Sequence, residues 1–214
     1  MVALNLERAA RVHDLLRLAS PCLLRWEHGP EPWAEAALAA APWVVTRRAP
    51  MRVGRIAVGV RGAQRSQRLA AWVDADQVQE LLRPAELRRR AAGLDPERSA
   101  LGPFRALDQL EQAWREAGPR EWGPAGSAGF ELASGFPSTG PGSDLDIVVR
   151  CPRAPSRARA RAWMDALPQD GRARIDVLLE WPAGGAALAE FAAGGAYVLR
   201  RPQGALLRPA ARRA

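Results

Sequence analysis

The stretch SDLDIVVR at 143–150 decides how this chain is read. On a strand, successive side chains point to opposite faces. Asp144, Asp146 and Val148 then share one face, and Leu145, Ile147 and Val149 share the other. The aliphatic face predicts a buried strand. Two carboxylates stand side by side near its start, roughly 7 Å apart along the strand. Such a pair repels itself and needs compensation. A turn and nearby arginines can supply it, and so can a divalent cation, which takes oxygen ligands.

Working outward, GPAGSAGFELASG at 123–135 lies upstream, with Gly126-Ser127 ahead of a short helical patch from Phe130 to Ala133. A Gly-Ser pair at a helix N-terminus offers backbone N–H groups and a hydroxyl to a phosphate. Downstream, RARIDVLLEW at 172–181 alternates as a strand, with Asp176 in phase with Leu178 and Glu180. On a neighbouring strand, Asp176 could join the same carboxylate cluster.

The rest of the chain supplies a frame for these segments. GRIAVGV at 54–60 predicts a strand, since Ile56, Val58 and Val60 alternate. Residues 74–92 predict two helical pieces, with Pro84 in the first turn of the second. Residues 106–118 predict a helix with Leu107, Leu110 and Trp114 on its core face, stopped by Gly118-Pro119. A helix over 156–167 capped by Ser156, a short helix over 185–195 and a short strand near 196–202 complete the reading. The texture changes to glycine-rich loops at 119. The expected division is therefore an N-terminal domain at 1–118, a catalytic domain at 119–208 and a frayed tail at 209–214.

Composition narrows the function classes. With 214 residues, 48% of them hydrophobic and 25% charged, the chain can bury a core and is neither disordered nor fibrous. No apolar run approaches the roughly 18 residues needed to span a bilayer, so no membrane role is expected. Cys22 and Cys151 lie far apart, and the first residues lack an apolar signal core, so a reduced, cytoplasmic protein is expected. The net charge of +8 comes entirely from arginine on the basic side and favours an anionic partner. Nucleic acid is not the expected one, because the charge is spread along the chain, aromatics are only 6%, and no nucleic-acid-binding motif is present. Arg61, Arg65 and Arg68 cluster just after the 54–60 strand, and Arg150 follows the aspartate strand. Each is a candidate guanidinium clamp for phosphate. For the cluster, the alternative is a solvated loop in an arginine-rich chain.

The order Gly-Ser, Asp-x-Asp, later Asp resembles the DNA polymerase β-like nucleotidyltransferase superfamily. That resemblance implies three carboxylates, Asp144, Asp146 and Asp176, holding two Mg²⁺ or Mn²⁺ ions, with Gly126-Ser127 on a triphosphate. A narrower resemblance covers nearly the whole chain. HDLLRLA at 13–19, VGVRGAQRSQR at 58–68, GSAGFELASG at 126–135, SDLDIVV at 143–149 and ARIDVLLE at 173–180 occur in that order. Together they resemble the malonate decarboxylase holo-acyl-carrier-protein synthase family, also called phosphoribosyl-dephospho-CoA transferase. This implies an α+β protein, with a small N-terminal α/β domain ahead of a nucleotidyltransferase domain built on a mixed sheet with flanking helices. It implies the catalytic aspartate pair Asp144 and Asp146. It also implies transfer of a phosphoribosyl-dephospho-CoA group from triphosphoribosyl-dephospho-CoA to a serine of the malonate decarboxylase acyl carrier subunit, with loss of pyrophosphate. The competing expectations are the same chemistry on another acceptor (a small molecule, RNA or a different protein) and a non-catalytic basic module that binds nucleic acid.

Overall fold

The computed structural model describes residues 6–20, 23–64 and 66–210. Contacts divide the chain into two compact units, Met1–Arg83 with Phe130–Ser138, and Pro84–Gly129 with Thr139–Ala214.

The first unit starts with the single-turn helix α1 (Leu6–Ala9). It continues through β1 (Leu15–Leu18), β2 (Arg25–Trp26), α2 (Pro32–Ala40), β3 (Trp43–Thr46), β4 (Arg55–Arg61), β5 (Arg68–Asp74) and β6 (Val78–Leu82). The strands form one sheet in the order β2-β5-β4-β3-β1-β6, antiparallel throughout. Alternation along β4 turns Ile56, Val58 and Val60 into the core, where they meet Leu16, Leu38, Val44 and Val73. Complete burial of a side chain of this size contributes about 1.5–3 kcal/mol. Pro32 starts α2 at a position where a missing N–H costs nothing.

Residues 74–82 correct one expectation. They form a 3-10 turn at Ala75–Gln77 followed by β6, not a helix. Leu81 and Leu82 pair with Leu16 and Leu15 on β1, and that long-range ladder overrides a local sequence compatible with helix.

The second unit contains α3 (Pro84–Arg90), α4 (Pro96–Ser99), α5 (Gly102–Ala113), β7 (Glu121–Pro124) and the first four residues of α6 (Gly126–Ser134). After these come β8 (Leu145–Arg150), α7 (Arg157–Asp165), β9 (Ile175–Trp181), β10 (Gly184–Ala187), α8 (Leu188–Ala193), β11 (Tyr197–Arg201) and β12 (Gly204–Arg208). The sheet order is β12-β11-β10-β9-β8-β7. Only β8 and β9 run parallel, joined by the α7 crossover, so the sheet is mixed and the chain is α+β. Ser156 caps α7 by accepting the Arg159 N–H at 3.2 Å.

Helix α5 starts four residues before its expected first residue, with Pro103 in its first turn. Its buried residues Leu107 and Leu110 face the sheet, and Trp114 meets Trp122 of β7 edge-on at 5.0 Å. Helix α3 lies against β7 so closely that a Cβ on Gly123 would overlap the Pro84 carbonyl. These packings place 84–118 with the second sheet, so the contact division falls at 83/84 and not at the expected 118/119. The expected helix at 185–195 is the end of β10 followed by α8, and β12 adds a second strand to the expected final one. Of the expected tail, residues 211–214 lie outside the described residues. Among the described residues no helix is long and apolar enough to cross a membrane.

Candidate functional site

The site forms where β7, α6, β8 and β9 meet in the second unit. Strand β8 has the predicted facing. Leu145, Ile147 and Val149 are buried, and Asp146 is exposed on the opposite face. The parallel register sets Asp146 directly beside Asp176, with Leu145 beside Ile175. Leu145 N–H donates to the Arg174 carbonyl at 2.8 Å, which continues the ladder to the level of Asp144. All three predicted carboxylates therefore come to the start of the β8–β9 pair.

Upstream, Pro124 pairs with Ile147, and Ala125 N–H donates to the Asp146 carbonyl at 2.8 Å. The chain then turns into α6 at Gly126, which has φ +55°. A Cβ there would overlap Asp146 Oδ2 and lie 2.8 Å from its Cγ, so only glycine allows this approach. Helix α6 begins at Gly126 itself, four residues ahead of the expected Phe130. Its N-terminal, partially positive end thus faces the Asp146 carboxylate. Ser127 sits in that first turn and is buried. A second close approach follows, because a Cβ on Gly129 would come within 2.7 Å of the Pro124 carbonyl oxygen.

Arg174 is the residue sequence reasoning missed. Its Nη2 donates to Asp144 Oδ2 at 3.0 Å and to Asp176 Oδ2 at 2.6 Å. The hydrogen bond to Asp144, then the nearby charge of Asp176, hold the guanidinium even more firmly protonated than usual. The arginine compensation weighed for the aspartates is thus real for Asp144 and Asp176. A signal was available, since Arg174 precedes Asp176 by two residues and shares its strand phase.

The donor set suits a hard cation, because three carboxylates supply oxygen ligands of the kind Mg²⁺ and Mn²⁺ take. Among the described residues, no group of three His, Cys, Asp or Glu side chains stands close enough together to hold an ion.

Of the arginine candidates, Arg150 belongs to the second unit and Arg61 and Arg68 to the first. Arg150 is buried at the far end of β8, about 13 Å along the strand from Asp146. It lies 3.7 Å from Glu121 and opposite Glu180 in the register. The structure therefore does not bring it to the carboxylates. Arg61 and Arg68 face each other across the β4–β5 hairpin in the first unit. Arg68 Nη1 donates to the Gln67 carbonyl at 2.8 Å and the Gln64 carbonyl at 3.2 Å, which braces the hairpin loop. The space beside Gly62 is filled by Gln67 and Trp33, so this glycine serves packing. Arg65 lies outside the described residues, as does Cys22. Cys151 is half-buried, and burial pushes its thiol upward, so it is no candidate nucleophile.

Comparison with known proteins adds an independent line. The family described as "Phosphoribosyl-dephospho-CoA transferase MdcG C-terminal domain" matches residues 63–211, and the corresponding N-terminal domain matches residues 11–84. The N-terminal match ends where the first sheet ends. A phosphoribosyl-dephospho-CoA transferase of Azotobacter vinelandii is 42% identical over 171 residues, covering 78% of each chain. One from Pseudomonas fluorescens is 41% identical over 190 residues, covering 87% of this chain and 86% of its own. One from Klebsiella pneumoniae is 35% identical over 200 residues, covering 92% and 93%. No solved structure matches the chain. With both family domains matched in order along almost the whole sequence, the chain belongs to the phosphoribosyl-dephospho-CoA transferase family and is a transferase enzyme.

Proposed function

We propose that this enzyme transfers the phosphoribosyl-dephospho-CoA group from its triphosphate precursor to a serine of the malonate decarboxylase acyl carrier subunit. The observation that carries this reading is the side-by-side placement of Asp146 and Asp176 at the N-terminal end of α6. In the reaction the serine oxygen attacks the α-phosphorus of the triphosphoribosyl arm. A new P–O bond forms as the α–β P–O bond breaks, pyrophosphate leaves, and the serine hydroxyl proton passes to solvent. Two divalent ions, Mg²⁺ or Mn²⁺, held by Asp144, Asp146 and Asp176, would lower the pKa of the hydroxyl and neutralise charge on the leaving oxygens.

The chain's own groups do the rest. The first turn of α6, with Gly126 and Ser127, offers N–H donors and a hydroxyl to the triphosphate. Gly126 keeps that turn against the Asp146 side chain, so phosphate and carboxylate are presented together. Asp176 polarises the attacking hydroxyl. Electrostatic positioning of this kind dominates phosphoryl-transfer catalysis. Resemblance to polymerase β-like nucleotidyltransferases agrees with the Gly-Ser, Asp-x-Asp, Asp order and the mixed sheet that carries it.

The test incubates the enzyme with apo-carrier subunit and the triphosphate donor and weighs the carrier by mass spectrometry. A gain of one phosphoribosyl-dephospho-CoA group supports the reading. An unmodified carrier, with transfer instead to a small molecule or RNA, overturns the acceptor.

A further inference from the structure

Arg174 is the feature the family reading does not use. It carries positive charge at the mouth of the carboxylate cluster. One of its nitrogens, Nη2, reaches Asp144 Oδ2 at 3.0 Å and Asp176 Oδ2 at 2.6 Å. Asp144 immediately precedes β8 and Asp176 lies on β9, so the guanidinium ties these two segments at the point where the chemistry is proposed. Its side chain is 64% exposed, against 26% for Asp144 and 46% for Asp176. An arginine anchored only at its tip, with its stem in solvent, can swing away at little packing cost. Exposed ion pairs are weak, typically 0.2–1 kcal/mol each.

We propose that Arg174 competes with a divalent ion for Asp144 and Asp176, sitting between the two carboxylates and leaving them when the ion binds. This rests on the proposed carboxylate–metal reading. A monovalent guanidinium relieves the Asp144–Asp176 repulsion and keeps the two side chains converged. A divalent ion offers twice the charge at shorter range and wins the oxygens. Arg174, two residues from Asp176 and released on the same strand, then faces outward from the start of β9. There a planar fork of donors suits the phosphate oxygens of the donor. Loading the site and freeing Arg174 become one event, so the arginine is a positioning residue and not a metal ligand.

The test measures Mn²⁺ binding to the full-length protein without substrate, reading free Mn²⁺ by electron paramagnetic resonance. Wild type is compared with Arg174→Gln, Arg174→Lys and Asp144→Asn. Removing the competing guanidinium should tighten Mn²⁺ binding about twofold to thirtyfold in Arg174→Gln, the range set by two exposed ion pairs. Arg174→Lys keeps one cationic nitrogen able to meet both carboxylates, as Nη2 does, so its Mn²⁺ affinity should stay near wild type. Two results overturn the inference while leaving the metal reading standing. One is Mn²⁺ affinity that is unchanged or weaker in Arg174→Gln although Asp144→Asn abolishes binding. The other is equal tightening in Arg174→Lys and Arg174→Gln, which would show that a cation at this position does not compete for the carboxylates. Absence of Mn²⁺ binding in every variant, with carrier modification proceeding in a chelator, overturns the metal reading itself and this inference with it.

Discussion

Replacing Gly126 with alanine isolates the geometry on which the proposed chemistry depends. Gly126 adopts φ +55°, and a left-handed conformation costs an alanine about 1–2 kcal/mol. For a chain of this size, each kcal/mol lowers Tm by about 2–4 °C, so a fall of about 2–8 °C is expected from strain alone. The second consequence is specific to the site. The new Cβ would overlap Asp146 Oδ2 and sit 2.8 Å from Cγ, so the carboxylate must move or α6 must pull away. Misplacement of a catalytic group by about 1 Å costs on the order of 100-fold in rate, which corresponds to about 2.7 kcal/mol of barrier. The control is Gly194→Ala, at the C-terminal cap of α8. It has φ +82° and open space where the Cβ would go. It should lose comparable Tm and keep its carrier-modification rate. The assay is the initial rate of carrier mass gain at saturating substrates, with Tm measured on the same preparations. Equal rates for Gly126→Ala and Gly194→Ala would refute the reasoning, because the Asp146–α6 contact would then be irrelevant to transfer.

Other expectations follow from the same structure. Asp144→Asn and Asp146→Asn should each lower transfer about 1,000-fold, roughly 4 kcal/mol of barrier, while the fold persists; rates within about threefold of wild type would remove the pair from the catalytic assignment. Asp176→Ala should lower kcat far more than it raises the donor KM, and the reverse pattern in steady-state kinetics would make Asp176 a binding residue. Asp74 accepts hydrogen bonds from Arg25 and Arg55, and Arg25 above all holds its carboxyl below the usual carboxylate range. A depressed carboxylate contributes stability that is present above its unfolded pKa and lost as pH falls through the folded one. Asp74→Asn should therefore be less stable than wild type above about pH 5, and the gap should close on acidification below pH 4; a gap independent of pH would contradict this. Cys151, raised by burial, should react with iodoacetamide at pH 8 more slowly than free cysteine in a Cys22→Ser background.

The aspartate strand was legible from its residues because its signal is local. In β8, alternation separates the carboxylates from Leu145, Ile147 and Val149, and the pleat makes that separation structural. The 156–167 helix was legible for the same reason, through the Ser156 cap. β6 was not, because Val78–Leu82 is a strand by virtue of β1, a partner 60 to 67 residues away. The reach of the second unit back to Pro84 was hidden likewise, since packing of α3 and α5 on β7 and β8 leaves no mark in local composition.

The residue types of the site, its three aspartates and its Gly-Ser turn, follow from the sequence by itself, because strand period and turn chemistry act over a few residues, and the family resemblance of its motifs implied the α+β class. Only the tertiary structure decided the rest. It aligned Asp146 with Asp176 through a parallel register, pressed Gly126 against Asp146, set Arg174 between two carboxylates and carried Arg150 to the opposite end of its strand. The physical reason is that a register is a contact between distant segments. A one-residue slip of β9 against β8 would turn Asp176 to the other face while leaving every local propensity unchanged.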